Sequence, residues 1–291
     1  MREIAPAGME TRRGRTARTG PVESRWTVVD GLRMHHRVSA DPAVPADRPP
    51  VVLVHGQVVS SRYMVPLAEH LAPDFHVYAP DLPGFGLSDK PPEVLDIAAL
   101  AEALAAWMTQ VGLGRAVLVG NSLGCQILAE FAVRHGDRVT ALVLQGPTAD
   151  PAARTAVRQI ARWLWNGARE RSPRMGWILL RDYLAAGPRR FILTFRHLLN
   201  HRIEDLLPRI AAPTLVLRGT RDPVVPPAWA RRVADLLPDG RLIELPGATH
   251  TINFTAPLEF ARVVRGFVGV APATVGAGTA EVQQRSDDRG R

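Results

Sequence analysis

Val117-Leu118-Val119-Gly120-Asn121-Ser122-Leu123-Gly124-Cys125-Gln126 opens as an apolar run of strand type, breaks into Gly-x-Ser-x-Gly, and continues with the spacing of a helix. That context turns a permissive five-residue pattern into a strand–turn–helix unit that presents a serine hydroxyl above a sheet edge. The turn must be very tight, and glycine at 120 and 124 removes the side chains that would collide with the neighbouring strand and helix. The same letters also fit an ordinary helix start, because Asn and Ser are both good N-caps. The rest of the chain decides between the two.

Working outward, short continuous apolar runs of the buried parallel-strand type recur at Val51–Val54, Phe75–Ala79, Ala141–Gln145, Pro213–Arg218 and Arg241–Leu245. Helical patterns lie between them, with Asp96 placed to cap a helix whose apolar stripe is Ile97, Leu100, Leu104, Trp107, Met108 and Val111. Such alternation is that of a doubly wound, mostly parallel α/β sheet. Ahead of it, Trp26–Val38 reads as two strands around Asp30-Gly31, a hairpin signal that makes an antiparallel edge. His35 and His36 alternate along that edge, point to opposite faces, and cannot serve one site.

The alternation lapses over 151–208. This stretch is helical in composition and holds Trp163, Trp165, Trp177, Tyr183, Phe191 and Phe195, with twelve arginines from Arg154 to Arg209. It is expected to be a helical insertion between two halves of one core, 23–150 and 209–270. Residues 1–22, basic and without periodicity, and 271–291, small and polar, are expected to be disordered tails.

The 291 residues suffice for a large core, and 46% apolar with 22% charged residues is ordinary for a globular protein. No run approaches the ~20 apolar residues of a membrane span, and the arginine-rich start lacks the apolar centre of a secretory signal. Cys125 is the single cysteine, so no internal disulfide forms, and a cytoplasmic location is expected. As the third residue beyond Ser122, Cys125 reads as a small buried hydrophobe and not as a second nucleophile. A net charge of +8 invites nucleic acid, but Lys90 is the only lysine, no nucleic-acid module or P-loop is present, and the arginine excess reads as compositional bias.

Three loops at strand ends carry Ser122, Asp222 and His250. The carboxyl edge of an open parallel sheet is where sites form. A hydroxyl nucleophile, a base that takes its proton, and an anion that orients the base make up one known catalytic set. Asp222 also fits a plain turn before Pro223, and Asp150, after the preceding strand, is the alternative acid.

On these residues the chain resembles the α/β-hydrolase fold superfamily, over about 26–270. The order Ser, Asp, His matches that family, as do His55-Gly56, Asp81-Leu82-Pro83-Gly84-Phe85-Gly86-Leu87-Ser88 and Gly219-Thr220-Arg221-Asp222. The resemblance implies a central, mostly parallel sheet flanked by helices, with 151–208 as a helical cap over Ser122. It further implies an oxyanion hole from the backbone N–H groups of Gln57 and Leu123, a structural part for His55, and a loop-shaping part for Asp81. Most cap aromatics are expected to form the cap's own core, while one or two arginines are suited to meet a substrate carboxylate.

Serine at the elbow argues against the family's epoxide hydrolases and haloalkane dehalogenases, which use aspartate. Ring-cleavage C–C hydrolases use serine and bind acidic dienoates, but usually place an aromatic after the histidine, where Thr251 stands here. The expected activity is therefore cofactor-independent and metal-free hydrolysis of a small or medium carboxylic ester, thioester or lactone, acting on a small-molecule substrate through an acyl-enzyme on Ser122. C–C hydrolysis of dienoates, or a non-catalytic ligand-binding role, is the alternative.

Overall fold

The computed structural model describes residues 21–39, 43–170 and 172–269. The tails expected at the two ends therefore fall almost entirely outside the described residues. Eight strands form one sheet: β1 (Glu23–Val29), β2 (Leu32–Ser39), β3 (Val51–Val54), β4 (Val77–Pro80), β5 (Ala116–Asn121), β6 (Val139–Gln145), β7 (Thr214–Gly219) and β8 (Gly240–Leu245). Their order across the sheet is β1-β2-β4-β3-β5-β6-β7-β8. β1 and β2 pair antiparallel through the expected hairpin, with Asp30 at φ 48° and Gly31 at φ 81° in the turn. Positive φ at both central residues matches the twist of the flanking strands. β2 is also antiparallel to β4, and every pairing from β4 to β8 is parallel.

Side chains alternate between two apolar layers. Val52, Val54, Leu118, Leu142, Leu144 and Val216 face the helices α2 (Ile97–Gln110), α3 (Leu123–Arg134) and α7 (Pro227–Leu236). Val51, Leu53, Val117, Val119, Val143, Leu215 and Leu217 face α1 (Val65–Leu71) and α9 (Pro257–Phe267). Strands buried on both faces read as unbroken apolar runs, which is why they were legible in the sequence. Asp96 caps α2 by accepting from the Ala99 amide at 2.8 Å.

Chain direction across the sheet reverses between β3 and β5. The chain leaves β3 for α1 on one face and leaves β5 for α3 on the other, so the loops after these adjacent strands part and open a crevice at their carboxyl ends. Over this edge lies a helical insertion between β6 and β7: α4 (Ala156–Arg169), α5 (Pro173–Asn200) and α6 (Ile203–Leu206). Thr155 caps α4 and Ser172 caps α5. α5 breaks at Gly187 (φ 76°, ψ 162°), and Pro188 restarts it where a missing N–H does no harm. α8 (Ile252–Thr255) leads from the last loop into α9.

Candidate active site

Ser122 sits at φ 56° and ψ −115°, a conformation L residues avoid at a cost on the order of 1–3 kcal/mol. Close backbone packing holds it there. A Cβ on Gly124 would stand 2.5 Å from the Val54 carbonyl oxygen, and one on Gly120 would stand 2.8 Å from the Gly124 carbonyl. The Ser122 amide donates to the Gln145 carbonyl at 3.0 Å, and the Ser122 carbonyl accepts from the Cys125 amide at 3.0 Å. Ser122 makes no side-chain cap to α3, so its hydroxyl is not spent on the helix start. Cys125 is buried beneath the turn, its thiol 3.3 Å from the carbonyl oxygens of Gly120 and Gln145, and burial pushes its pKa up.

Asp222 and His250 meet as neighbours of this turn. His250 Nδ1 donates to Asp222 Oδ2 at 2.8 Å, and Asp222 Oδ1 accepts from the amides of Val224 (2.8 Å) and Val225 (3.2 Å). With Nδ1 engaged, Nε2 is the nitrogen left for a reacting proton. Burial works against the imidazolium, but the charge and hydrogen bond of Asp222, helped by the charge of Glu170, outweigh it and lift the His250 pKa above its ordinary 6.5. The Asp222 loop is braced by Arg218, which donates to the carbonyls of Val225 (2.6 Å) and Asp222 (3.2 Å) and pairs with Glu244 at 2.6 Å. Asp150, the alternative acid, is occupied elsewhere. It accepts from the Ala152 amide at 2.9 Å and pairs with Arg162 at 2.8 Å.

Gln57 lies on the other side of Ser122. A Cβ on Gly56 would stand 2.9 Å from Asn121 Oδ1 and 3.3 Å from Ser122 Cβ, so the loop after β3 lies directly against the serine turn. Val58, at φ 56°, completes that loop. Leu123 is the first residue of α3, and its N–H has no intrahelical acceptor. Among the described residues neither the Gln57 nor the Leu123 amide donates a hydrogen bond. His55 ties two loops together: Nδ1 donates to the Gly56 carbonyl at 2.9 Å and Nε2 accepts from the Leu82 amide at 3.2 Å, while burial lowers its pKa. Asp81 gathers the amides of Ser61 and Leu87 and the ring of His35. Its contacts shape the loop without reaching the serine.

Several site residues carried no sequence signal. Asn121 Nδ2 donates to Gln145 Oε1 at 2.5 Å and Gln145 Nε2 donates to the His250 carbonyl at 2.6 Å, a buried side-chain relay from the serine turn to the histidine loop. Gly146, at φ 63°, makes room for the ring, since a Cβ there would stand 2.8 Å from His250 Cε1. From the insertion, Asn166 Oδ1 accepts from the His250 amide at 3.2 Å, and Glu170 Oε1 accepts from Thr251 N at 2.7 Å and Thr251 Oγ1 at 2.6 Å. Nothing local marked Asn166 or Glu170.

Ser122, His250 and Gln57 line one cavity of about 580 Å³, whose far wall is apolar and comes from the insertion: Trp163, Leu164, Tyr183, Phe191 and Phe195. The expected insertion core is thus corrected. Four of its six aromatics face the cavity, and Trp163, Trp165 and Trp177 are exposed. The expected arginine for a substrate carboxylate is not found either, since no arginine among the described residues lines the cavity. Among the described residues no cluster of three or more His, Cys, Asp or Glu could hold a metal ion, and no helix is long and apolar enough to cross a membrane.

Comparison with known proteins agrees with this fold. Residues 51–263 match the alpha/beta hydrolase family, and the chain belongs to it. It is 31% identical over 241 residues to a pimeloyl-acyl-carrier-protein methyl ester esterase of Chromobacterium violaceum, covering 74% of this chain and 92% of that one. It is 26% identical over 281 residues to haloalkane dehalogenase 2 of Mycobacterium tuberculosis, covering 84% and 94%. A bacterial membrane phospholipase A of solved structure superposes with a TM-score of 0.73 at 25% identity, over 85% of this chain and 86% of that one. Hydrolase activity is what these relatives have in common.

Proposed function

We propose that the protein is a serine hydrolase that cleaves a small or medium carboxylic ester, thioester or lactone through an acyl-enzyme on Ser122. The observation that carries this reading is that a strained Ser122, with no cap bond to α3, and an Asp222-bound His250 line the same apolar cavity. In the first half-reaction Ser122 Oγ attacks the carbonyl carbon while His250 Nε2 takes its proton. The adduct's oxyanion is received by the amides of Gln57 and Leu123. The C–O or C–S bond to the leaving group then breaks, and His250 returns the proton to that group. A water, deprotonated by the same imidazole, attacks the acyl carbon and frees Ser122. Asp222 holds the imidazole in the Nδ1–H tautomer and stabilises its cation.

The insertion acts as a cap that supplies the cavity wall and closes it over the serine. Serine at the elbow separates this chain from the dehalogenase-type relative, whose reaction the resemblance assigns to aspartate. Kinship with a methyl ester esterase supports the ester reading. The test is turnover of short-chain nitrophenyl esters by purified full-length chain. Release of nitrophenol that disappears in Ser122→Ala and survives dialysis against a chelator is the expected result, and absence of turnover with every ester, thioester and lactone tried contradicts it.

A further inference from the structure

The cavity above Ser122 holds one carboxylate that the reaction does not use. Glu170 follows the last turn of α4, is 9% exposed, and lines the cavity beside Thr251, the residue after His250. Its Oε1 takes both Thr251 donors, as described above. Those donors are neutral, so they solvate the charge without cancelling it. Among the described residues Glu170 is the only acidic and His250 the only basic side chain on the cavity wall, and His250 is already matched to Asp222. Four arginines of the insertion are engaged away from the cavity wall: Arg154 with Glu204 at 2.7 Å, Arg162 with Asp150 at 2.8 Å, and Arg189 and Arg190 with the carbonyls of Pro92 (2.9 Å) and Pro91 (2.8 Å).

We propose that Glu170 sets the charge selectivity of the site, so that the part of the substrate inside the cavity is uncharged and apolar, and esters bearing a second carboxylate there are turned away. A cavity of about 580 Å³, taken as a sphere, is roughly 10 Å across. Any substrate carboxylate inside it therefore lies within that distance of Glu170. At such range in a poorly solvated site, like-charge repulsion amounts to about a tenfold loss of affinity. Desolvation adds to it, because among the described residues no guanidinium on the wall offsets the hydration the substrate charge gives up. Acidic dienoates fit this wall poorly for the same reason.

The test uses the full chain and compares a neutral acyl group with its carboxylate-tipped counterpart, in two arms. The turnover arm rests on the serine-hydrolase reading: kcat/KM for nitrophenyl butyrate against mono-nitrophenyl succinate, in wild type, Glu170→Gln and Thr251→Val. Wild type is expected to favour the butyrate by about tenfold or more. Glu170→Gln brings the ratio to within a few-fold of one, and Thr251→Val, which loosens the same tie but keeps the charge, leaves the preference in place. A binding arm does not depend on that reading. In Ser122→Ala, octanamide is expected to bind about tenfold more tightly than suberic acid monoamide by calorimetry at pH 8, and adding Glu170→Gln closes the gap. Equal or better use of the charged ligand by the unsubstituted Glu170 protein, a ratio unmoved by Glu170→Gln, or no octanamide binding at millimolar concentration overturns the proposal. Failure of all ester turnover with the binding ratio intact overturns only the serine-hydrolase reading. If Glu170→Gln does not fold, the ratio in the Glu170-bearing protein decides.

Discussion

The serine turn and the helical insertion meet over one cavity but are built on opposite terms. Around Ser122 the backbone itself is the packing material: every residue of β5 is buried, and added Cβ atoms at Gly120 and Gly124 would meet main-chain atoms at 2.8 and 2.5 Å. In α4 and α5 the corresponding test at Gly167 and Gly176 meets nothing within 4 Å. Apolar side chains there stand in solvent, with Val157 77%, Trp177 68% and Leu184 74% exposed. Beyond Met175, Ile178, Leu198 and Ile203, which are buried in the core's apolar layers, the insertion is held by separate polar ties, among them Ser60 Oγ to Asp182 Oδ2 at 2.6 Å, Gln126 Nε2 to the Leu198 carbonyl at 3.0 Å, and the Asn166 and Glu170 contacts to the histidine loop. On the proposed function, reaction chemistry would be set by closely packed main chain, and selectivity by the more loosely packed insertion. The first should tolerate fewer substitutions than the second.

The sharpest way to break this contrast is at the chemistry itself. Ser122→Ala should lower kcat for ester hydrolysis by about 10⁴-fold or more with the thermal midpoint unchanged or raised, since alanine keeps the fold and loses only the proposed nucleophile. Asp222→Asn should lower it by about 10³- to 10⁴-fold, because an amide no longer enforces the Nδ1–H tautomer. The pH profile sharpens the electrostatic part. His250 acts as base only when neutral, and its pKa is raised above 6.5, so kcat/KM should climb with pH through an acid limb whose midpoint lies above 6.5. Removing a carboxylate destabilises the imidazolium, so the midpoint should move down in Asp222→Asn and, by less, in Glu170→Gln. A midpoint that stays put in both variants would mean that another group titrates.

Stability measurements then compare the two regions directly. Gly124→Ala should cost at least about 1–3 kcal/mol in denaturant unfolding, because only backbone could move aside. Gly176→Ala, in a helix with open space around it, should instead stabilise by about 0.5–1 kcal/mol. Trp177→Ala should change stability by no more than about 0.5 kcal/mol. Equal penalties at Gly124 and Gly176 would erase the distinction between the two regions.

Most of the core was legible because parallel strands buried on both faces leave continuous apolar runs, and Ser122, Asp222 and His250 each follow a strand. The limits of legibility lie where contacts join residues far apart in sequence. Glu170 and Thr251 are 81 residues apart, and Gln145 reaches His250 across 105. Neither pairing leaves a local pattern. The insertion misled for a related reason. Its aromatics have the composition of a core, yet Trp163 and Phe191 pack toward a cavity and Trp177 toward solvent, and helix composition does not say which face meets what. Its arginines likewise suggested an anion site, yet none among the described residues lines the cavity, and several bind carbonyls and carboxylates outside it.

The proposed mechanism passes through a covalent acyl-enzyme on one serine. Intact-mass spectrometry and peptide mapping after exposure to an alkyl fluorophosphonate test it most directly. A single stoichiometric adduct on the peptide carrying Ser122, absent from Ser122→Ala and slowed in Asp222→Asn, is the expected result. No adduct on the folded wild-type chain, or an adduct that persists in Ser122→Ala, would contradict it.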